Sequence, residues 1–125
     1  MAYLLVVDDD VDGRDALCRA LERGGHEVGC VSNGREALSS ILERAPDLII
    51  LDLFMPEMDG PSLLEILRSY LRLASLPVVV LTGAPDSPLV ERVRHLKVNA
   101  ILTKAKATHE EILQAVTEQL PRVPG

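Results

Sequence analysis

Aromatic residues are almost missing from this chain of 125 residues, which has no Trp, one Phe and two Tyr. A core built on large rings is therefore excluded, and Leu, Val, Ile and Ala must do the packing. Hydrophobic residues still make up 47% of the sequence, which is enough for a substantial core. The length fits one domain, which we expect over residues 1–120, with 121–125 as a tail or linker stub.

Cysteine is also scarce. The two cysteines, Cys18 and Cys30, have neither the spacing of a metal site nor that of a disulfide framework. We therefore predict two reduced, largely buried thiols in a cytoplasmic protein.

Long apolar runs and a charged N-terminal leader are absent as well. The apolar runs are too short to cross a bilayer, and Asp8 comes too early for a signal peptide. The formal net charge of −6 disfavours nucleic acid and anionic membranes as partners. We expect protein partners, and a monomer or weak dimer.

The residues that are present alternate between short apolar runs and amphipathic stretches. Five runs are typical of buried strands, at 4–7, 28–31, 48–51, 78–81 and 100–103. Five stretches between and after them carry apolar residues at helical spacing. Continuous apolar strands indicate a parallel sheet covered on both faces, and right-handed crossovers then predict a three-layer α/β/α sandwich.

Local signals refine the predicted helices. Thr108 and Glu111 form a capping-box pattern, which predicts the start of the last helix. Asp59-Gly60 is typical of a turn that leads into the third helix. Helical spacing assigns Leu42 to the buried face of the second helix and Leu71 to that of the third.

Polar side chains follow four of the five predicted strands: Asp8-Asp9-Asp10, Asp52, Thr82 and Lys104. The carboxyl ends of parallel strands lie at one edge of a sheet, where ligands of such folds bind. We therefore expect these acids, the hydroxyl and the ammonium to converge on one small site.

That combination of groups has a coherent chemistry. Clustered carboxylates repel one another unless a cation intervenes, and oxygen ligands with room for water suit Mg²⁺. A carboxylate such as Asp52 can attack phosphorus and form an acyl phosphate. Mg²⁺ and Lys104 would then neutralise the transferring oxygens, and a hydroxyl could donate to another phosphoryl oxygen.

The segments LLVVDDD, LIILDLFMPEMDG, VVVLTGA and AILTKA resemble the four conserved blocks of the response-regulator receiver family. Between them, GGHEVGCVSNGREAL resembles the second strand and second helix of that family. The resemblance covers essentially the whole chain, and four motifs in order make it specific. It implies the flavodoxin-like, doubly wound fold, with five parallel strands in the order 2-1-3-4-5 and five helices.

The resemblance also implies a metal site. Asp8 and Asp9 match the family's acidic pair, with Asp9 touching Mg²⁺ directly and Asp8 through water. The backbone carbonyl of Phe54 matches a further ligand. Asp52 matches the phosphoacceptor, which also contacts the metal.

For phosphoryl transfer, Thr82 matches the family's switch hydroxyl and Lys104 the lysine that meets the phosphoryl oxygen. The implied donor is the phosphohistidine of a sensor histidine kinase or a histidine phosphotransfer protein. The chain is then a signalling phosphoacceptor in a two-component phosphorelay rather than an enzyme with a separate substrate.

Four positions depart from the family pattern or bear on the lifetime of the phosphoryl group. Ala105 replaces the usual proline after the lysine, so we predict a trans Lys104–Ala105 bond and a shifted loop. Ile101 replaces an aromatic residue, which would weaken or rewire the coupling to the distal surface. Phe54 and Ala84 cannot orient an attacking water, which predicts slow loss of the phosphoryl group.

Two other functions remain open from the sequence. One is a receiver-like interaction module that works without phosphate, which Ala105 and Ile101 favour mildly. The other is an aspartyl-phosphate phosphohydrolase, but its D-x-D-x-[TV] setting fits Asp8-Asp9-Asp10-Val11-Asp12 poorly, and a cap domain is missing from the chain.

The remaining acids and histidines have plainer interpretations. We assign Asp10 and Asp12 to the cap and surface of the first helix. His26, His95 and His109 lack the spacing of metal ligands, and we expect all three at the surface.

Overall fold

A computed structural model describes residues 2–120 of the protein. Its strands are β1 Tyr3–Val7, β2 Glu27–Val31, β3 Leu48–Leu51, β4 Val78–Thr82 and β5 Ala100–Thr103. Its α-helices are α1 Val11–Arg23, α2 Gly34–Glu43, α3 Gly60–Ser69, α4 Pro88–Arg94 and α5 His109–Gln119. The predicted tail at 121–125 lies outside the described residues.

The strands form one parallel sheet in the order β2-β1-β3-β4-β5. This confirms the flavodoxin-like order that the family resemblance implied. In the described part of the chain, no helix is long and apolar enough to cross a membrane.

Both faces of the sheet are covered, because successive residues of a strand point to opposite faces. Leu5, Val7 and the residues on the same face of the neighbouring strands pack with α2, α3 and α4. Leu4 and Val6 point to the other face and pack with α1 and α5. The result is the predicted three-layer α/β/α sandwich with an aliphatic core. The central strands β1, β3 and β4 are apolar because both of their faces are covered, whereas the edge strands β2 and β5 are only partly buried.

The helix starts follow their sequence signals. Thr108 and Glu111 form a complete capping box at the start of α5. The Asp59 side chain accepts a hydrogen bond from the Ser62 N–H and caps α3, which confirms the predicted helix start.

Two predicted core leucines are wrong. Leu71 is 96% exposed, because α3 ends at Ser69 and the chain continues into a short 3-10 turn, Leu71–Leu73. Leu73 takes the inward position and is buried. Leu42, near the end of α2, is 39% exposed.

The cysteine prediction is also wrong. The structure joins Cys18 of α1 to Cys30 of β2 in a disulfide, with the two Cα atoms 7.0 Å apart. Cys18 is buried as expected, but Cys30 is exposed. Twelve residues separate the two in sequence, and only the packing of α1 over β2 brings them together.

One arginine ties α3 to the end of α4. The Arg68 guanidinium donates to the carbonyls of Leu96 at 2.8 Å, Leu73 at 3.1 Å and Lys97 at 3.1 Å. Lys97 has a positive φ of 60°, so the carbonyls of Leu96 and Lys97 belong to an irregular turn that follows α4, whereas Leu73 belongs to the short 3-10 turn after α3. Burial lowers the pKa of Arg68.

Candidate functional site

Asp52 directly follows β3 at the carboxyl edge of the sheet. Its N–H donates to the Val7 carbonyl at 2.9 Å, so the backbone of this residue is fixed to the end of β1. Its Oδ1 accepts a hydrogen bond from the Leu53 N–H at 2.8 Å. The residue is only 6% exposed, which leaves a carboxylate held at the bottom of the site.

Asp8 and Asp9 reach the same place from the end of β1. Asp8 is buried and Asp9 is exposed. One carboxylate oxygen from each of Asp8, Asp9 and Asp52 lies within 4.8 Å of the other two. These three acids therefore form a cluster that could hold a metal ion.

Lys104 follows β5 and turns its ammonium toward the acids. Its Nζ lies 2.7 Å from Asp8 Oδ2 and 3.5 Å from Asp52 Oδ2. Burial lowers the pKa of Lys104, but the hydrogen bond to Asp8 and the charges of Asp52 and Asp8 outweigh burial and raise it. The lysine is therefore a firm positive charge at neutral pH.

One ammonium does not balance this cluster. Burial and the charge of Asp8 raise the pKa of Asp52 to about 6, although Lys104 and the Leu53 N–H act in the opposite direction. Burial and a neighbouring carboxylate both disfavour the charged form of Asp52, and a bound cation would stabilise it. Hard carboxylate oxygens with unbalanced charge are the donor set that Mg²⁺ prefers, so the residues present fit that ion.

Thr82 ends β4, the strand next to β3, and is fully buried. Its Oγ1 accepts a hydrogen bond from the Ala84 N–H at 3.1 Å. Because that bond uses the oxygen as an acceptor, the hydroxyl proton is left free to be donated.

The loop after β3 brings Phe54 to the rim of the site, where its side chain is 46% exposed. The loop closes tightly, since Glu57 has a positive φ of 66° and the Gly60 N–H donates to the Leu53 carbonyl at 3.0 Å. A Cβ on Gly60 would meet the Asp52 carbonyl oxygen at 2.7 Å, closer than a Cβ can approach. Glycine is therefore required where α3 meets the end of β3.

A second close approach supports the loop from the other side. The Gly34 N–H donates to the Met58 carbonyl at 3.1 Å, and a Cβ on Gly34 would clash with that oxygen. The turn before α2 therefore rests directly on the loop that carries Phe54.

The segment after Lys104 behaves as predicted in one respect. All peptide bonds between residues 2 and 120 are trans, including Lys104–Ala105. The Thr103 carbonyl accepts from the N–H groups of Lys106 at 3.0 Å and Ala107 at 2.9 Å, which makes a compact turn. Whether this loop is shifted from the family's position stays a prediction.

The structure brings together Asp8, Asp9, Asp52 and Lys104 and places Thr82 at the end of the neighbouring strand, and it adds one residue that the sequence did not assign to the site. Arg14 of α1 is 12% exposed and donates to Ser32 Oγ and toward the Asp8 carbonyl. In the sequence, the only indication of this role is that Arg14 is a basic residue among the acids of the first helix.

Comparison with known proteins agrees with this geometry. A sequence profile of the response regulator receiver domain matches residues 4–117. The chain belongs to the response regulator receiver domain family. It is therefore a signalling domain of two-component systems rather than a conventional enzyme.

Among relatives of this receiver domain is the transcriptional regulatory protein GltR of Pseudomonas aeruginosa. The two are 38% identical over 97 residues, which is 78% of this chain and 39% of GltR. The chain spans about two fifths of the length of the first curated relatives that it matches.

Solved receiver structures cover the whole fold. The receiver domain of a signal transduction histidine kinase from Syntrophus aciditrophicus is 32% identical, with a TM-score of 0.87 over 96% of this chain and 90% of the other. The chemotaxis response regulator CheY4 of Vibrio cholerae is 29% identical, with a TM-score of 0.86 over 96% and 99%.

Proposed function

We propose that this receiver domain accepts a phosphoryl group on Asp52 in a Mg²⁺-dependent reaction. The observation that carries the proposal is the cluster of Asp8, Asp9 and Asp52 with Lys104 beside it. The proposed donor is the phosphohistidine of a sensor histidine kinase or a histidine phosphotransfer protein.

Asp8, Asp9 and Asp52 would hold the metal ion, together with the Phe54 backbone carbonyl. The bound ion supplies charge neutralisation at the phosphoryl oxygens. Asp52 is the nucleophile: one carboxylate oxygen forms a bond to phosphorus while the bond from phosphorus to the donor imidazole nitrogen breaks. The electron pair of that bond stays on the imidazole.

The other residues stabilise the transferred group. Lys104 is positively charged and already faces Asp52, so it can pair with a phosphoryl oxygen. Thr82 has a free hydroxyl proton for another oxygen. The new charge would then bias a protein-interaction surface between two states.

We propose that this surface is built from α4, β5 and α5. An open groove of about 580 Å³ lies on the α4 and β5 part of it, lined by Pro85, Arg94, Val98, Ala100, Ile101 and Thr103. Because Ile101 offers no ring or hydroxyl, the coupling from Thr82 to this groove would be weaker than in relatives with an aromatic residue.

Several broader assignments belong to the same proposal. Residues 1–120 form the receiver domain, which works in the cytoplasm with protein partners, as a monomer or weak dimer and without contact to nucleic acid or membrane.

Incubation with acetyl phosphate and Mg²⁺, followed by intact mass measurement, tests the function. The wild-type chain should gain the mass of one phosphoryl group, and should not when EDTA removes the metal. Asp52→Asn should gain nothing, whereas Asp86→Asn, at an exposed loop position, should behave as wild type.

A wild-type chain that stays unmodified under these conditions would refute the proposal. That outcome would favour the alternative, a receiver-like interaction module that works without phosphate. Ala105 and Ile101 are the two residues that favour this alternative.

A further inference from the structure

We propose that Arg14 is a positioning residue for the acid pair Asp8 and Asp9, and that it keeps them arranged to share one cation. The inference rests on the proposed function, because it concerns how the same site is held in shape. Arg14 does not contact the reacting groups; it acts through the backbone of Asp8.

The contacts of Arg14 are unusual for an arginine of an outer helix. Its side chain is 12% exposed, and Nη1 donates to Ser32 Oγ. The same nitrogen lies 3.5 Å from the Asp8 carbonyl oxygen. Nε lies 3.3 Å from Oδ1 of the neighbouring Asp15. Burial of a guanidinium is costly, so these contacts must compensate for it.

Arg14 completes the set of contacts that hold Asp8. The Asp8 N–H donates to the Val31 carbonyl at 3.1 Å. Its Oδ1 accepts from the Asp10 N–H at 2.9 Å, and its Oδ2 pairs with Lys104. The carbonyl is the remaining polar group, and Arg14 is the donor beside it.

Holding that carbonyl also orients Asp9. The peptide unit between Asp8 and Asp9 is planar, so the direction of the Asp8 carbonyl fixes the direction of the Asp9 N–H. Asp9 is exposed, and within residues 2–120 its backbone makes none of the hydrogen bonds found outside the helices and strands. Its position over the cluster therefore depends on this peptide unit.

The other end of the contact is anchored. The Ser32 N–H donates to Glu36 Oε2 at 3.1 Å, so Ser32 is fixed to the first turn of α2. Arg14 thus links the loop after β1 to the turn after β2. Without it, the acid-bearing loop would be tied to that neighbouring turn only through the backbone bond to Val31.

Charge and positioning predict opposite results for removal of Arg14. A guanidinium near the acids repels a metal cation, so on charge alone Arg14→Ala would bind Mg²⁺ more tightly. If Arg14 positions the acids, the same substitution weakens binding, by about tenfold as for other outer-shell partners of metal ligands.

The experiment is a calorimetric titration of each variant with Mg²⁺, and phosphorylation by acetyl phosphate at increasing Mg²⁺. Arg14→Ala should need about tenfold more Mg²⁺ but reach the wild-type rate at saturation. Arg14→Lys keeps the charge, but its shorter side chain ends one bond before the Nη1 position that reaches both acceptors, and it should also bind more weakly. Arg19→Ala, an exposed position on the same helix, should match wild type.

Ser32→Ala provides a second route, because it removes the anchor and leaves Arg14 in place. It should weaken Mg²⁺ binding in the same direction, and it keeps the test open if Arg14→Ala does not fold. Unchanged or tighter binding in the folded Arg14 and Ser32 variants would overturn the inference while leaving the proposed function intact. A wild-type chain that binds no Mg²⁺ would overturn both.

Discussion

Lys104 lies closer to Asp8 than to Asp52, with Nζ 2.7 Å from Asp8 Oδ2 and 3.5 Å from Asp52 Oδ2. The ammonium therefore already neutralises part of the negative charge that would attract a metal cation. A cation that enters the cluster must compete with this ion pair.

Lys104→Met removes the competitor. We expect Mg²⁺ to bind about tenfold more tightly, since the acids lose their fixed positive neighbour. Phosphorylation by acetyl phosphate should nevertheless slow by about a hundredfold, because the positive charge that stabilises the transferring oxygens is lost. Calorimetry and intact mass kinetics measure the two effects, and Lys106→Met is the matched control. Weaker Mg²⁺ binding in Lys104→Met would contradict this account.

Asp52→Asn should stabilise the metal-free protein at neutral pH. Burial and Asp8 raise the pKa of Asp52 from 3.8 to about 6, so the folded state binds its proton more tightly than the unfolded state does. The wild-type chain therefore loses stability from this group as the pH rises from about 4 to about 6, and the full loss is present above that range.

Urea unfolding in EDTA measures the effect. At about pH 7.5 we expect Asp52→Asn to raise the free energy of unfolding by about 1–2 kcal/mol, and at about pH 4.5 by less than half of that. Asp86→Asn should change little at either pH. An Asp52→Asn protein that is less stable than wild type at the higher pH would show that the charge is not the dominant effect.

Phe54→Asn should shorten the lifetime of the phosphorylated state. Phe54 lies at the rim of the site and cannot orient an attacking water, whereas an amide can. We expect the phosphoryl group to be lost about tenfold faster, because the new amide contributes to hydrolysis only by orienting the attacking water. Decay of the phosphorylated mass after removal of acetyl phosphate measures the rate. Phe54→Leu should decay as slowly as wild type, and equal rates for the Asn and Leu variants would remove the support for this idea.

Arg68→Met should destabilise the fold. It removes one guanidinium from three carbonyls, and charged hydrogen bonds of this kind contribute strongly when partly buried. We expect a loss of about 2–3 kcal/mol in the free energy of unfolding. Arg72→Met, at an exposed position in the turn that follows, should cost little. An equal loss of unfolding free energy in the two variants would mean that the three hydrogen bonds of Arg68 do not stabilise the fold.

The sheet and the acid cluster could be predicted because both depend on short-range patterns. A strand buried on both sides must be apolar throughout, and the tips of parallel strands meet at one edge whatever the helices do. Asp8, Asp52 and Lys104 could therefore be placed together from the sequence. Their mutual distances could not, since these depend on side-chain burial and charge.

The features that the sequence did not predict depend on the orientation of each helix about its own axis and on the residue at which it ends. Cys18 meets Cys30 only because of the way α1 lies over β2, and Arg14 turns inward for the same reason. Leu71 has the helical spacing of a core residue, but α3 stops before it. Local periodicity does not encode either kind of information.

Gly60 leaves the first turn of α3 in direct contact with the main chain of Asp52. This contact joins main chain to main chain, so neither partner contributes a side chain that could bend to absorb a movement. A shift of the Asp52 backbone would therefore be passed directly to α3. The lack of a Cβ at Gly60 makes this mechanical connection between the proposed phosphorylation site and the outer helix stiff.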